Sequence, residues 1–249
     1  MNNLPERVFA LAEELKTSTL VSTEEFEPSG KLRRTAAKSI FHDHKVVLNQ
    51  HLLEILTESN GIKLRWNYRP AKEEKYHSDI VHGGEINLPS IAGMYAWPTK
   101  DVIWFDSMAD EGVQGARYLA FCQSLRMLEN LLWSTDNIFI LMTPEWPGEE
   151  CSYTKPRIIY WNNSGAKYLL ALTLENYFEA CLEAKAFIGW QCFYIDKAGM
   201  NIKDPFVQEY FGASYEETKR KRERFLREMP LIFPSMDFSK FEALHAGLS

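Results

Sequence analysis

His42-Asp43-His44 places two imidazoles and a carboxylate in three consecutive residues, and these are side chains that ligate zinc or carry protons. The spacing works against a shared site. In a helix, residues two apart point to different sides, and no His-Glu-x-x-His pattern sets two imidazoles on one face. The cluster reads first as a polar helix start, and second as the site of a small hydrolase near His42 and His44. His51, His77 and His82 would join such a site only if the fold gathers them. A glycoside-directed hydrolase would need a carboxylate pair. Glu85, Asp106, Glu145, Glu149 and Glu150 offer the groups, and tryptophans could line a sugar cleft, but no spacing singles out an acid and a nucleophile. Gly-x-Ser-x-Gly, a phosphate-cradling glycine loop and a dinucleotide fingerprint are all missing, so those enzyme classes lose their usual sequence support.

Recognition chemistry has better material. Trp97 and Trp146 each precede a proline, and Trp161 abuts Asn162-Asn163-Ser164-Gly165, which places all three near turns, where an aromatic can anchor a partner. Glu85 adds a carboxylate to this candidate partner-binding set. Core packing is the competing reading for each tryptophan, because large aromatics are usually buried. The expectation is no metal and no cofactor.

Charge constrains the partner. Thirty-four acidic against 28 basic side chains leave a net charge of −6, which opposes a phosphate backbone and suits a basic protein. Lys31, Arg33, Arg34 and Lys38 form a basic cluster without the interleaved aromatics of a nucleic-acid platform. Lys219-Arg220-Lys221-Arg222-Glu223-Arg224 sits in an expected helix where Glu216 reaches Arg220 and Glu223 reaches Arg227, so it reads as a salt-bridged exposed face. Cys122, Cys151, Cys181 and Cys192 make no Cys-x-x-Cys pair and no compact disulfide framework. They read as free thiols in a reducing cytoplasm, with Cys151 the most exposed. No run reaches membrane-spanning length, and the N-terminus lacks a signal-peptide core.

The elements that would position these residues follow from periodicity. Leu4, Val8, Leu11, Ala12 and Leu15 repeat at helical spacing and predict an opening helix, followed by a polar loop from Ser18 to Lys38. Leu48, Leu52, Ile55 and Leu56 predict a second helix, stopped by Asn60-Gly61, and Ile62, Leu64 and Trp66 then alternate as a strand. Gly83-Gly84 releases another strand through Ile86 and Leu88. Val102 to Phe105 reads as a strand, and Tyr118, Phe121, Cys122, Leu125, Leu128 and Leu132 read as one helical face. Ile138 to Met142 is a continuous apolar run suited to the middle of a sheet. Residues 157–161 and 166–172 should pair as a hairpin, and Thr173 should cap a helix bearing Leu174, Tyr177, Phe178, Cys181 and Leu182. Gly189 then precedes a last strand, Trp190 to Ile195, and a charged helix from Ser214 ends at Pro230.

Residues from about Ile40 to Asp196 resemble the SUKH superfamily, which groups bacterial toxin-immunity proteins with yeast cell-wall assembly regulators. The resemblance lies in a helix ending Ser59-Asn60-Gly61, a strand after it, the strand opening Gly84-Glu85-Ile86, Ile159-Tyr160-Trp161 with a polar turn, and a closing helix at Leu174 to Leu182. Thr173 and Leu174 stand where that family usually has serine and phenylalanine, and its acidic Gly-Asp segment is missing, with Asp106 to Gly112 only a weak substitute. The resemblance implies an α+β fold with a central, mostly antiparallel sheet and helices packed around it. It also implies a non-catalytic protein-binding role, which for an immunity protein means occluding the active site of a toxin, here a basic one. The domain reading is residues 1–39 as helix and polar loop, 40–196 as the core, and 197–249 as a helical extension packed on it.

Overall fold

The computed structural model describes residues 3–28, 54, 60–69, 81–90, 93–94, 121–122, 125–131, 134, 136–141, 157–162, 165–197 and 215–248. Among them the order is α1 (Leu4–Leu15), β1 (Val21–Pro28), β2 (Ile62–Tyr68), β3 (Val81–Leu88), β4 (Leu125–Leu131), β5 (Asp136–Leu141), β6 (Arg157–Trp161), β7 (Lys167–Leu170), α2 (Leu174–Glu183), a 3-10 helix (Trp190–Tyr194), α3 (Tyr215–Ile232) and α4 (Ser239–Leu248). The α+β expectation holds. All described strand pairs are antiparallel, and the strands divide into a three-stranded sheet, β1-β2-β3, and a four-stranded sheet, β4-β5-β6-β7.

Periodicity accounts for much of the packing. In α1 the residues at helical spacing, Leu4, Val8, Leu11, Ala12 and Leu15, are the buried ones, and in β2 Ile62, Leu64 and Trp66 are buried while Lys63 and Arg65 are half-exposed. Gly61 has φ of 119°, so a glycine is needed where β2 begins. Thr173 caps α2 by accepting the Asn176 N–H. β5 lies inside its sheet, between β4 and β6, and the β6–β7 hairpin sets Tyr160 opposite Tyr168.

Four elements depart from the periodic reading. The expected polar loop contains strand β1, whose ladder with β2 is strengthened by Lys63 and Arg65 reaching Glu25 and by Lys63 reaching Glu27. A charged strand of this kind lacks the apolar alternation by which strands are recognised. Residues 125–131, expected to continue a helix from 121–122, form strand β4. Its ladder shifts between Met127 and Glu129, and that bulge resets the inward face, so Leu125, Leu128 and Leu131 are buried three apart and imitate a helical stripe. Residues 190–194 form a 3-10 helix instead of a strand, leaving only Ile195 bridged to Leu170. Pro230 lies inside α3, which runs on to Ile232.

Residues 186–195 tie the two sheets together. Phe187 bridges Gly84 of the first sheet and Ile195 bridges Leu170 of the second, with Glu85 N–H donating to the Ala186 carbonyl at 2.9 Å and Ala171 N–H donating to the Tyr194 carbonyl at 2.7 Å. The buried apolar cluster extends from Leu4 in α1 to Phe241 in α4, and Phe225 packs on both Phe193 and Phe241. The C-terminal helices therefore supply core side chains as well as a charged face. No helix of the described residues is long and apolar enough to cross a membrane.

Candidate partner-binding surface

Glu85 lies on β3 opposite Arg65 of β2. Its side chain is fully buried and accepts from Arg65 Nε at 2.9 Å, while Arg65 Nη1 reaches Glu25 at 2.7 Å. Three strands are laced by one guanidinium, so the Glu85 carboxylate faces its own arginine and not solvent. Trp161 ends β6 half-buried, packed 5.7 Å from Phe139, with Lys167 Nζ 4.0 Å above its ring. Burial lowers the Lys167 ammonium to about 8, against a smaller upward pull from Cys122. Trp97, Trp146, His42, His44, His51, His77 and Cys151 lie outside the described residues, as does the 102–105 strand. Cys122, Cys181 and Cys192 are buried and form no disulfide.

The charged helix differs in part from its solvated-face reading. Lys219–Glu223, Glu217–Lys221 and Arg224–Glu228 pair at helical spacing, yet Arg222 is buried and donates to the Cys192 carbonyl at 3.2 Å. Lys221 reaches inward to a fully buried Asp136 at 3.0 Å and to the Tyr160 hydroxyl at 2.8 Å, while Tyr160 itself donates to Asp136 at 2.9 Å. These groups hold α3 to β5 and β6. Sequence spacing cannot reveal such a use, because Asp136 is 85 residues from its lysine.

An open groove of about 490 Å³ lies between α1 and α2. Leu11 and Leu182 give it an apolar floor, Ala10 an exposed small side chain, and two ion pairs bracket it. Arg7 grips Glu179 with both arms of its guanidinium, the Nη2–Oε2 distance being 2.6 Å, and Lys185 meets Glu14 at 2.7 Å. The Arg7 bond holds the Glu179 carboxyl below its usual range. On α2, Glu175, Glu179 and Glu183 are exposed and four residues apart, so they form one acidic stripe beside the groove. On α1, Glu6, Glu13 and Phe9 are also exposed, and Phe9, 52% accessible, touches Phe26 of β1 at 5.8 Å between ring centres. The groove thus has an apolar floor inside a charged rim.

The tryptophan-centred reading missed this groove. Its sequence signal was present in the Glu175, Glu179, Glu183 spacing and in Phe9 standing outside the α1 stripe, but only the fold brings residues about 170 apart face to face. Among the described residues, no group of three His, Cys, Asp or Glu is gathered that could hold a metal ion. No family model, curated protein or solved structure matches this chain.

Proposed function

We propose that this chain is a non-catalytic protein-binding module that captures a basic partner on the α1–α2 face, in the manner of an immunity protein that neutralises a toxin domain by covering its active site. The observation that carries the reading is the groove itself: an apolar floor at Leu11 and Leu182 between the Arg7–Glu179 and Lys185–Glu14 ion pairs, beside the exposed carboxylates of Glu175, Glu179 and Glu183 on α2, the last of which pairs with Lys240. Net charge of the same sign over the whole chain would accelerate encounter with a basic protein. Two of the described buried carboxylates, Glu85 and Asp136, are committed to Arg65 and Lys221 inside the fold. The SUKH-like pattern of strands and closing helix adds the expectation of steric occlusion.

Filling the groove tests the reading. Tagged wild-type protein and an Ala10→Trp variant are used for affinity capture from native extract, with quantitative mass spectrometry and a thermal melt of each protein. A stoichiometric basic protein retained by the wild type and lost by an equally stable variant is the expected result. Equal capture by both would exclude this face, and absence of any stoichiometric protein with the wild type would overturn the binding reading.

A further inference from the structure

Helix α2 stops in a hydrogen-bond pattern that favours glycine, and the chain supplies lysine. The Ala186 N–H donates to the Cys181 carbonyl at 2.8 Å and the Lys185 N–H to the Leu182 carbonyl at 3.0 Å, the two bonds of a Schellman stop. The residue at the turning point takes a left-handed backbone, which a Cβ crowds and glycine accepts without cost. Lys185 stands there with φ of 53°, and Ala186 follows with φ of 56°.

Two successive left-handed residues with side chains persist only where their surroundings hold them. Toward the first sheet, the Lys185 carbonyl accepts the Trp66 indole N–H at 3.0 Å and the Ala186 carbonyl accepts the Glu85 N–H at 2.9 Å, while the Ile188 N–H donates to the Gly83 carbonyl at 2.9 Å. Toward α1, Lys185 Nζ donates to Oε2 of Glu14 at 2.7 Å. The side chain that makes the turn costly is therefore the one that ties it to α1. A glycine would suit the backbone and lose that ion pair.

We propose that Lys185 is a loaded clasp: its ion pair with Glu14 holds the left-handed turn in place, and loss of that pair relaxes the turn and loosens its grip on the Trp66 indole and the Glu85 amide. Helix α1 is thereby coupled to residues 186–195, the segment that ties the two sheets. The other ion pair of the same two helices supplies the contrast. Arg7 meets Glu179 in the body of α2, before the turn, so its loss leaves the left-handed residues held. A cation from solvent that draws Glu14 away would act on the tie between the sheets, and one that draws Glu179 away would not. The coupling belongs to the fold and holds whatever the groove binds.

Hydrogen exchange read by NMR at the Glu85 amide and the Trp66 indole N–H reports the grip directly, in the wild type, Glu14→Ala and Arg7→Ala. Both substitutions fall on exposed positions of a helix that alanine suits, so the variants should fold. Glu14→Ala should speed exchange of both protons on the order of threefold, the scale of one partly exposed ion pair, and Arg7→Ala should leave them nearly unchanged. Lys185→Gly gives the second comparison. Without a Cβ the turn needs no clasp, so both protons should exchange no faster than in the wild type, and adding Glu14→Ala should change nothing further. Unaltered exchange in Glu14→Ala, equal acceleration in Arg7→Ala, or a Glu14→Ala effect that persists beside Lys185→Gly would each overturn the clasp.

Discussion

Gly84 lies against the indole of Trp66. A Cβ at this position would stand 2.7 Å from the Ala186 carbonyl oxygen and closer still to the indole Nε1, which donates to the Lys185 carbonyl at 3.0 Å. The ring, the glycine and the 185–186 backbone thus occupy one tightly shared space, with Gly83 in the same position under the six-membered ring. Gly84→Ala must displace either the tryptophan or the segment tying the sheets together. The expected cost is about 3 kcal/mol, read as a lowered urea midpoint, and a change under about 1 kcal/mol would mean that the ring is not confined there.

Lys221 should be the main fastening of α3 to the sheet. Lys221→Met leaves the Asp136 carboxylate buried without its ammonium and should cost about 3 kcal/mol, against about 1 kcal/mol for Tyr160→Phe. A double-mutant cycle with Asp136→Asn should recover a substantial coupling. Strict additivity would show that the contact contributes little.

The same pair predicts an alkaline limit. Burial pushes the Lys221 ammonium down, but Asp136, Cys192 and Glu217 together carry it above the ordinary lysine value. A folded-state pKa above the unfolded one gives stability that is complete below the unfolded value and is lost as pH rises through the folded value. Thermal melts of the wild type should therefore decline above about pH 10.5 more steeply than those of Lys221→Met. Parallel declines would assign the alkaline loss to other groups.

Arg65 offers a contrast between buried and partly exposed charge on one side chain. Arg65→Met removes the cation facing the fully buried Glu85 and should cost about 3 kcal/mol, whereas Glu25→Ala, at the more open side of the ladder, should cost under about 1 kcal/mol. Chemical denaturation of the two variants gives the comparison, and equal losses would contradict the burial argument.

Thr173→Ala should cost about 1 kcal/mol through loss of the α2 cap, and Thr173→Ser should restore nearly all of it, as read by equilibrium unfolding. A full effect with serine would indicate that the threonine methyl, not the hydroxyl, matters.

Local rules made several elements legible: the α1 stripe, the alternation of β2, the Asn-Asn-Ser-Gly hairpin and the Thr173 cap each depend on neighbours in sequence. The errors have an equally local cause. A bulge at residues 127–129 gave β4 a helical spacing, and β1 concealed its strand behind glutamates that become favourable only opposite Lys63 and Arg65. The candidate site was less legible. Glu85, a member of the candidate partner-binding set, lies buried against Arg65, while the groove involves Arg7 and Glu179, which sequence alone gives no reason to pair.

By itself the sequence determined the α1 stripe, the β2 alternation, the β6–β7 hairpin and an acidic net charge, because propensity, periodicity and net charge are sums over near neighbours, while the antiparallel α+β class was an expectation from the SUKH resemblance. The tertiary structure alone decided that the strands divide into two sheets, that residues 186–195 join them, and that Glu129, Asp136 and Arg222 are buried. The physical reason is that burial and charge pairing depend on through-space distance. A carboxylate acquires its environment from whichever distant segments the fold sets around it, and no spacing along the chain records that choice.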